Sequence, residues 1–494
     1  MKIFGLLAPQ QRRNLLVLFF AGLGFWASLA TLLPTLPLYI EEVLSGTPQQ
    51  VGIVMGSFAI GLMVSRPWLG RLSDRHGRKI VLLIGAGVVA IAPLGYLCLG
   101  YLSGNLILSP DSFGQGDLWP PAMRLIPLMM AMRAFHGISV AAFATSYVAL
   151  VADLAPYQNR GELLAYMSLV NPLGLVFGPA IGGTIMESTG YAALFLVAGG
   201  LGGVGWLSIL WIQSIPNTAE VVSSHRSQST AARGNDGVPM PVRSEKASAP
   251  ASISQTWDAA SLKTERQSVS VSQSASDSQH QLRQEQFLPS WRLLIGPSIG
   301  IPALVLLSVG LVFGTVASFL PLFIKESELT INAGLFYTTA AIAGLIVRIL
   351  LGQLSDRYGR GRLITIGLLF YGSSMLVLWT ADAGSDVILA GAIEGIGFGL
   401  LLPSVSALIA DRCLAQERGR IFGICLLGFD LGLAIAGPVL GAIAQTGNYR
   451  QLFAIAACLA FLATLIFITQ SSKNLRHSLR FALGQGRDIY ALED

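Results

Sequence analysis

Charge is scarce in this chain. Of 494 residues only 12% are Asp, Glu, Lys or Arg, about half the share of an ordinary soluble domain. Three water-soluble domains, the number the length alone suggests, could not be covered by so few charges. Lysine is scarcer still: Lys2, Lys79, Lys246, Lys263, Lys325 and Lys473 are all there is, and none follows a glycine. A Walker A loop needs that pair, so ATP-driven chemistry is not expected. Cysteine is limited to Cys98, Cys413, Cys425 and Cys458, with no C-x-x-C spacing, and implies neither a disulfide framework nor a zinc site. H-E-x-x-H is missing. One G-x-S-x-G match, residues 296–300, opens an apolar run instead of following a strand, which a nucleophile elbow would require. No metal, cofactor or enzymatic chemistry is expected.

What is present is apolar. Hydrophobic residues make up 53% and the mean hydropathy is +0.62. The runs are long and unbroken, as in Leu15 to Ile40, and lack the alternation of a membrane β-barrel. The 55 glycines suit helices that pack closely in lipid. The fold class is therefore an all-α membrane protein. Twelve spans are predicted: 15–40, 50–70, 80–103, 122–152, 162–187, 191–214, 297–324, 333–352, 362–381, 386–411, 420–445 and 450–470. The first is too long for a signal-peptide core and is read as a retained helix. With the N-terminus inside, the inner segments hold eighteen Lys and Arg and the outer ones three, leaving out the long middle segment. Both termini are thus expected in the cytoplasm. The basic pI near 9.1 then reflects topology and anionic lipid, and no nucleic-acid partner is expected.

The chain repeats. RPWLGRLSDRHGR at 66–78 returns as RILLGQLSDRYGR at 348–360, an offset of 282. NRGELLAYMSLVNPLGLVFGP at 159–179 returns as ERGRIFGICLLGFDLGLAIAGP at 417–438, with an offset of 258 at Arg160 and Arg418. The 24 extra residues of the first half are assigned mostly to an external loop at 103–122. Two pseudo-symmetric six-helix bundles follow, at 1–214 and 297–470, with a cytoplasmic tail at 471–494. Residues 215–296 between them are rich in Ser, Gln and Ala, with Trp257 the one aromatic residue of 217–286. That segment is read as a disordered cytoplasmic linker.

The repeated loop carries the most specific motif. Its glycines permit tight turns and close helix approach. Asp74 sets a carboxylate at the membrane edge, where a helix N-terminus or an arginine can meet it. Arg75, Arg78 and Lys79 hold the loop at the cytoplasmic surface. Topology alone would explain a basic turn, but not a particular Asp in both copies. At Gly70, Leu72, Asp74, Arg75, Gly77, Arg78 and Lys79 the chain resembles the major facilitator superfamily. The second copy supplies Gly352, Asp356, Arg357, Gly359 and Arg360, and departs at Gly361, where the first has Lys79. The resemblance covers about 420 residues. It implies halves that rock about a central cavity, and it makes these loops gate latches.

Further motifs extend the resemblance. Arg133 in the fourth span is a cation inside the bilayer, costly without a partner. His136 lies on the same helical face. The family ties the fourth-span positions of Arg133 and Gly137 to proton coupling, while His136 and Ser139 depart from its usual residues. Packing alone would account for a lone His, and Arg133 would oppose its protonation. In the fifth span Gly174, Gly178, Pro179, Gly182 and Gly183 resemble the antiporter signature of drug:proton exporters. Tight helix packing explains the same glycines. Glu394 and Asp430 are carboxylates within the bilayer, hence candidate functional groups, expected to exchange protons and to face substrate or Arg133. A static ion pair is the other reading of each. Arg66 and Arg348 are near enough to the interface to snorkel and are read as gate or packing residues.

The resemblance thus implies a secondary active transporter, nearest the 12-helix drug:proton antiporter branch. Its partners are a small amphipathic or drug-like solute, protons driven by their gradient, and membrane lipid. A monomer in a bacterial inner membrane is expected. A symporter or exporter of a sugar, metallophore or other metabolite, and a non-transporting sensor or scaffold, are the alternatives.

Overall fold

The computed structural model describes residues 7–108, 121–156, 160–212, 294, 296–351, 359–414, 417–486 and 488–492. The predicted linker at 215–296 lies almost wholly outside them, as do residues 109–120 of the predicted external loop and Gly352, Asp356 and Arg357, while residues 103–108 and 121–122 of that loop are helical. The first half holds α1 (Pro9–Thr31), α2 (Leu36–Glu42), α3 (Pro48–His76), α4 (Arg78–Leu108), α5 (Pro121–Leu154), α6 (Arg160–Ser168), α7 (Val170–Thr189) and α8 (Tyr191–Leu210). The second holds α9 (Pro297–Glu326), α10 (Ala333–Leu351), α11 (Arg360–Trp379), α12 (Gly384–Asp411), α13 (Arg418–Ala444), α14 (Tyr449–Gln470) and α15 (Leu475–Ala482). Twelve helical stretches among the described residues are long and apolar enough to cross a membrane, one for each predicted span. Twelve crossings put both ends of the bundle on one side. That side is the terminal face, and the other is the far face.

Proline explains the two broken spans. Residues 32–35 turn between α1 and α2, where Pro34 and Pro37 bring no N–H to continue the ladder. The fifth span breaks at Leu169. Pro172 has no N–H for the Ser168 carbonyl and crowds it with its ring. Elsewhere caps do the work. Thr47 Oγ1 accepts from the Gln50 N–H at 3.4 Å while Gln50 Oε1 accepts from the Thr47 N–H at 2.9 Å, which starts α3. Gly77 alone joins α3 to α4, with φ +91°, and Gly359 precedes α11 with φ +84°. Both sit in the repeated loop, where only glycine holds that backbone without strain.

The halves meet by backbone contact at the far face. A Cβ built on Gly52 of α3 would lie 1.9 Å from the Gly437 carbonyl oxygen of α13, and one on Gly437 would lie 2.0 Å from that of Gly52. Further along, Gly56 faces the Ala434 carbonyl and Gly441 the Pro48 carbonyl, each with 2.7 Å left for a Cβ. The repeat builds a second crossing. Gly334 of α10, 282 residues after Gly52, faces the Pro179 carbonyl of α7 with 2.2 Å for a Cβ. Thr338 Oγ1 then donates to the Val176 carbonyl at 3.0 Å. Lipid gives helices no hydrophobic drive to associate, so such close approach supplies the dispersion contact that does.

The tail is partly folded. α15 packs on α14 and α11, and Arg412 meets Asp488 at 2.7 Å with the arginine side chain fully buried. Gly361 explains itself here, since a Cβ on it would lie 2.3 Å from the Phe481 carbonyl of α15. The second copy of the loop lacks the first copy's lysine because a helix lies there.

Gly437→Ala tests the first crossing. The added methyl has no room, and overpacking of this kind costs about 1–3 kcal/mol. The variant is expected to unfold at lower temperature than wild type in the same lipid or detergent. An unchanged unfolding temperature would show that the crossing is not tight in the membrane.

Candidate functional site

The described ends of the repeated loops anchor to neighbouring helix ends. Arg78 Nη1 meets Asp153 Oδ2 at 2.6 Å and donates to the Ala149 carbonyl at 2.6 Å, both at the end of α5. The second half repeats this, with Arg360 on Asp411 and on the Ala407 carbonyl of α12. Lys79 Nζ donates to the Leu210 and Ile212 carbonyls at 3.3 and 2.5 Å, where the negative end of α8 welcomes a cation. Asp74 and Arg75 are exposed and form no ion pair among the described residues. Gly70 faces open space, and so do Gly419 and Gly423 at the same end of α13.

Arg133 lies inside the first half. It is 5% exposed, and its guanidinium sits 4.5 Å from the Phe58 ring centroid, a stabilising geometry for a desolvated cation. Gly137 allows this, because a Cβ there would lie 2.0 Å from the Phe58 carbonyl. His136 Nδ1 is 3.4 Å from Arg133 Nη1 and 3.0 Å from the Tyr96 hydroxyl. Arginine can only donate, so Nδ1 faces it as an acceptor and the ring proton belongs on Nε2, which has no partner.

Neither acid meets Arg133. Asp430 Oδ2 lies 2.6 Å from Arg66 Nη1, across the interface between the halves. The expected facing of Arg133 is thus replaced by Arg66, whose stem reaches along α3 to the buried carboxylate. Neither atom has a hydrogen-bond partner, so the contact is a close charge pair off the hydrogen-bond line. Glu394 is 8% exposed and sits beside Tyr371 and Tyr337. It lines a cavity of about 60 Å³ between the halves, with Arg348, Asn171, Phe313, Phe336 and Phe398.

The fifth-span glycines divide their labour. Gly174, Gly178 and Gly182 pack on Trp26, Ala27 and Thr31 of α1. Gly183 faces Asn332 of the other half with 2.0 Å for a Cβ, and Pro179 forms the second crossing. Nearby, Lys325 bridges the halves at the far face, 2.8 Å from Glu41 and 2.9 Å from Glu42. Tyr191 donates to Glu42 at 2.5 Å.

A family model described as Major Facilitator Superfamily matches residues 15–384 and 333–484. The chain belongs to the major facilitator superfamily. Among curated relatives, the multi-drug resistance efflux pump PmrA homolog of Lactococcus lactis is 24% identical over 448 residues, 89% of this chain and 90% of that one. Multi-drug resistance efflux pump PmrA of Streptococcus pneumoniae serotype 4 is 25% identical, covering 91% and 94%. Multidrug resistance protein MdtG of Yersinia enterocolitica is 24% identical, covering 91% and 92%. Among solved structures, the inward open xylose transporter XylE from E. coli superposes with a TM-score of 0.61 at 16% identity, over 92% of this chain and 94% of that one. The D-xylose-proton symporter gives 0.61 at 17%, over 93% and 98%. These neighbours establish the fold. The chain is a multi-pass cell-membrane transporter of this superfamily.

Several residues of this transporter escape motif reading. Asp153 and Asp411 lie 258 apart, as do His136 and Glu394, so the repeat offset marks both pairs. Lys325, Glu41 and Glu42 have no such mark, since each stands beside a span end where charge is ordinary. Arg66 is visible, but its partner lies 364 residues away.

Asp430→Asn leaves Arg66 half-buried without its counter-charge, at an expected cost of about 1–3 kcal/mol, below the fully buried case because water reaches the arginine. The double exchange Arg66→Asp with Asp430→Arg is expected to recover at least half of the loss in melting temperature. No recovery would mean that the pair is incidental to stability.

Proposed function

We propose that this transporter is a proton-coupled exporter of a small amphipathic solute, working by alternating access. One observation carries the reading. α3 and α13 each carry glycines in two sets: Gly52, Gly56, Gly437 and Gly441 are engaged at the far face, while Gly70, Gly419 and Gly423 face open space at the terminal face. The same two helices can therefore close at either end, one end at a time, which is what alternating access requires. The charge asymmetry of the sequence assigns the terminal face to the cytoplasm. The structure is then the inward-facing state.

Proton coupling rests on Glu394 and Asp430. Both are buried carboxylates at the seam between the halves, where rocking would change their exposure and their distance from arginine. A group that changes surroundings between states takes up a proton in one and releases it in the other. Arg133, stacked on Phe58 with the neutral His136 beside it, serves as a fixed positive wall. Export is favoured by the antiporter-like glycine run, and the relatives named as efflux pumps point the same way. The repeated loops, including Asp74, Asp356 and Arg357, are assigned the latch that holds the terminal face when it closes.

The test is the full chain in liposomes containing a pH-sensitive dye, with an imposed pH gradient. Addition of a transported solute is expected to release protons down the gradient, and Glu394→Gln or Asp430→Asn to abolish that release. Proton movement together with the solute would convert the reading to symport. Solute flux indifferent to the gradient in every variant would overturn proton coupling.

Gly423→Leu and Gly70→Leu fill the idle face. Each is expected to cut transport at least tenfold while leaving the melting temperature within about 2 °C. A cysteine at the terminal end of α13 should stay open to a water-soluble maleimide throughout. Transport at the wild-type rate would show that α3 and α13 do not close there.

A further inference from the structure

The repeat pairs its interface charges unequally. Arg66 and Arg348 are counterparts, 282 residues apart. Arg66 has Asp430 on the opposing helix, at 2.6 Å. The second half's LGFDLGL, 427–433, aligns with LVNPLGL, 169–175, so Phe429-Asp430 is answered by Asn171-Pro172. The helix opposite Arg348 therefore offers an amide and no acid. Among the described residues no ion pair includes Arg348, and its Nε has no hydrogen-bond partner.

This unanswered cation faces the cavity. Arg348, Asn171 and Glu394 line it together, and no ion pair joins Arg348 to Glu394. Both charges share one pocket without neutralising each other, in surroundings where an isolated charge is costly. The rest of the wall is aromatic: Phe313 and Phe398 stack with centroids 6.4 Å apart, and Phe336 completes the lining.

We propose that the transported solute is an amphipathic zwitterion whose entry widens this seam, since the cavity of about 60 Å³ is below the usual size of a small-molecule site. Its anionic group meets Arg348 and the Asn171 amide, its cationic or donor group meets Glu394, and its apolar body lies on the phenylalanines. Guanidinium is well suited to a carboxylate or phosphate, and Asn171 adds a donor. A cationic end on Glu394 competes there with a proton, which is how binding and proton release become coupled. The assignment rests on the reading of the chain as a proton-coupled exporter and names the class of its solute. A lipophilic cation, by contrast, would meet Arg348 with like charge and leave it unpaired.

Three probes with one aromatic body separate the cases: naphthylalanine as zwitterion, naphthylpropionate as anion and naphthylethylamine as cation. Each is titrated calorimetrically into the full chain in nanodiscs at one pH. The zwitterion is expected to bind at least tenfold tighter than the cation, with the anion between them. Asn171→Asp gives Arg348 the acid that Arg66 already has, and is expected to erase the advantage of zwitterion and anion over the cation. Glu394→Gln should erase only the advantage of the zwitterion over the anion. Both variants are checked for a wild-type melting temperature. Arg348→Gln should act as Asn171→Asp does; if it fails to fold, Asn171→Asp decides.

Tightest binding of the cation, equal binding of all three, no binding at all, or the expected order persisting unchanged in Asn171→Asp each overturns the proposal. Titration needs neither gradient nor turnover. The expected binding order together with silent liposomes would overturn the transport reading and leave the site. The converse would leave the transporter and remove the zwitterion.

Discussion

Two places where helix backbones touch govern the rest of this transporter. At Gly52 against Gly437, and at Gly334 against Pro179, no side chain intervenes. The contacts between the halves are arranged around those crossings: the Lys325 bridge at the same face, the Glu394 cavity further along the helices of the second, and the Arg66–Asp430 pair further along the helices of the first. Hydrocarbon does not drive helices together, so contact at this distance must come from shape, and shape at this distance means glycine. The abundance of glycine is thus concentrated in function. The residues engaged at the far face have counterparts on the same helices that touch nothing, and the proposed second closed arrangement rests on that contrast.

Charge is handled differently at each position inside the bilayer. Arg133 is stacked on an aromatic ring, Arg66 is neutralised by an acid from the other half, and Arg348 faces the cavity. The repeated loops use a fourth device, in which Arg78 and Arg360 each take a carboxylate and a carbonyl at a neighbouring helix end. The loop pairs are faithful copies across the repeat. The central residues are not, since His136 is answered by Glu394 and Asp430 by Pro172. The repeat keeps the loop anchors and changes the buried polar groups.

Much of this was legible in the sequence, and the reasons are physical. Twelve spans and the repeat were readable because hydrocarbon imposes a length and a composition on every crossing. A tight turn in the repeated loop was readable from its glycines, but the spans were read as ending at 70 and resuming at 80, and the single-residue joint at Gly77 was not read. The breaks at residues 32–35 and at Leu169 followed from proline in principle, though the spans were read as continuous. The partner of Asp430 could not be read. Arg133 and Arg66 are both arginines within the bilayer, and choosing between them needs the rotation of each helix about its axis, which periodicity leaves open when all faces are apolar. The α15 contact with Gly361 was hidden too, because a short helix in a polar tail leaves no hydropathy signal.

The single glycine at position 77 makes a mechanical statement. α3 and α4 are joined by one residue with no slack, and Arg78 is pinned to α5, so the three helices move as one stiff arm. In the proposed rocking the fulcrum is at Gly52. From there to Gly70 is about 27 Å at 1.5 Å per residue, so each degree of rotation at the fulcrum sweeps the far tip of the arm through about half an ångström. A turn of roughly ten degrees carries that tip about 5 Å, close to one full pitch of a helix. The gearing is set by where along α3 the glycine contact falls, and sliding it by one turn would retune the stroke without altering a single residue of the cavity.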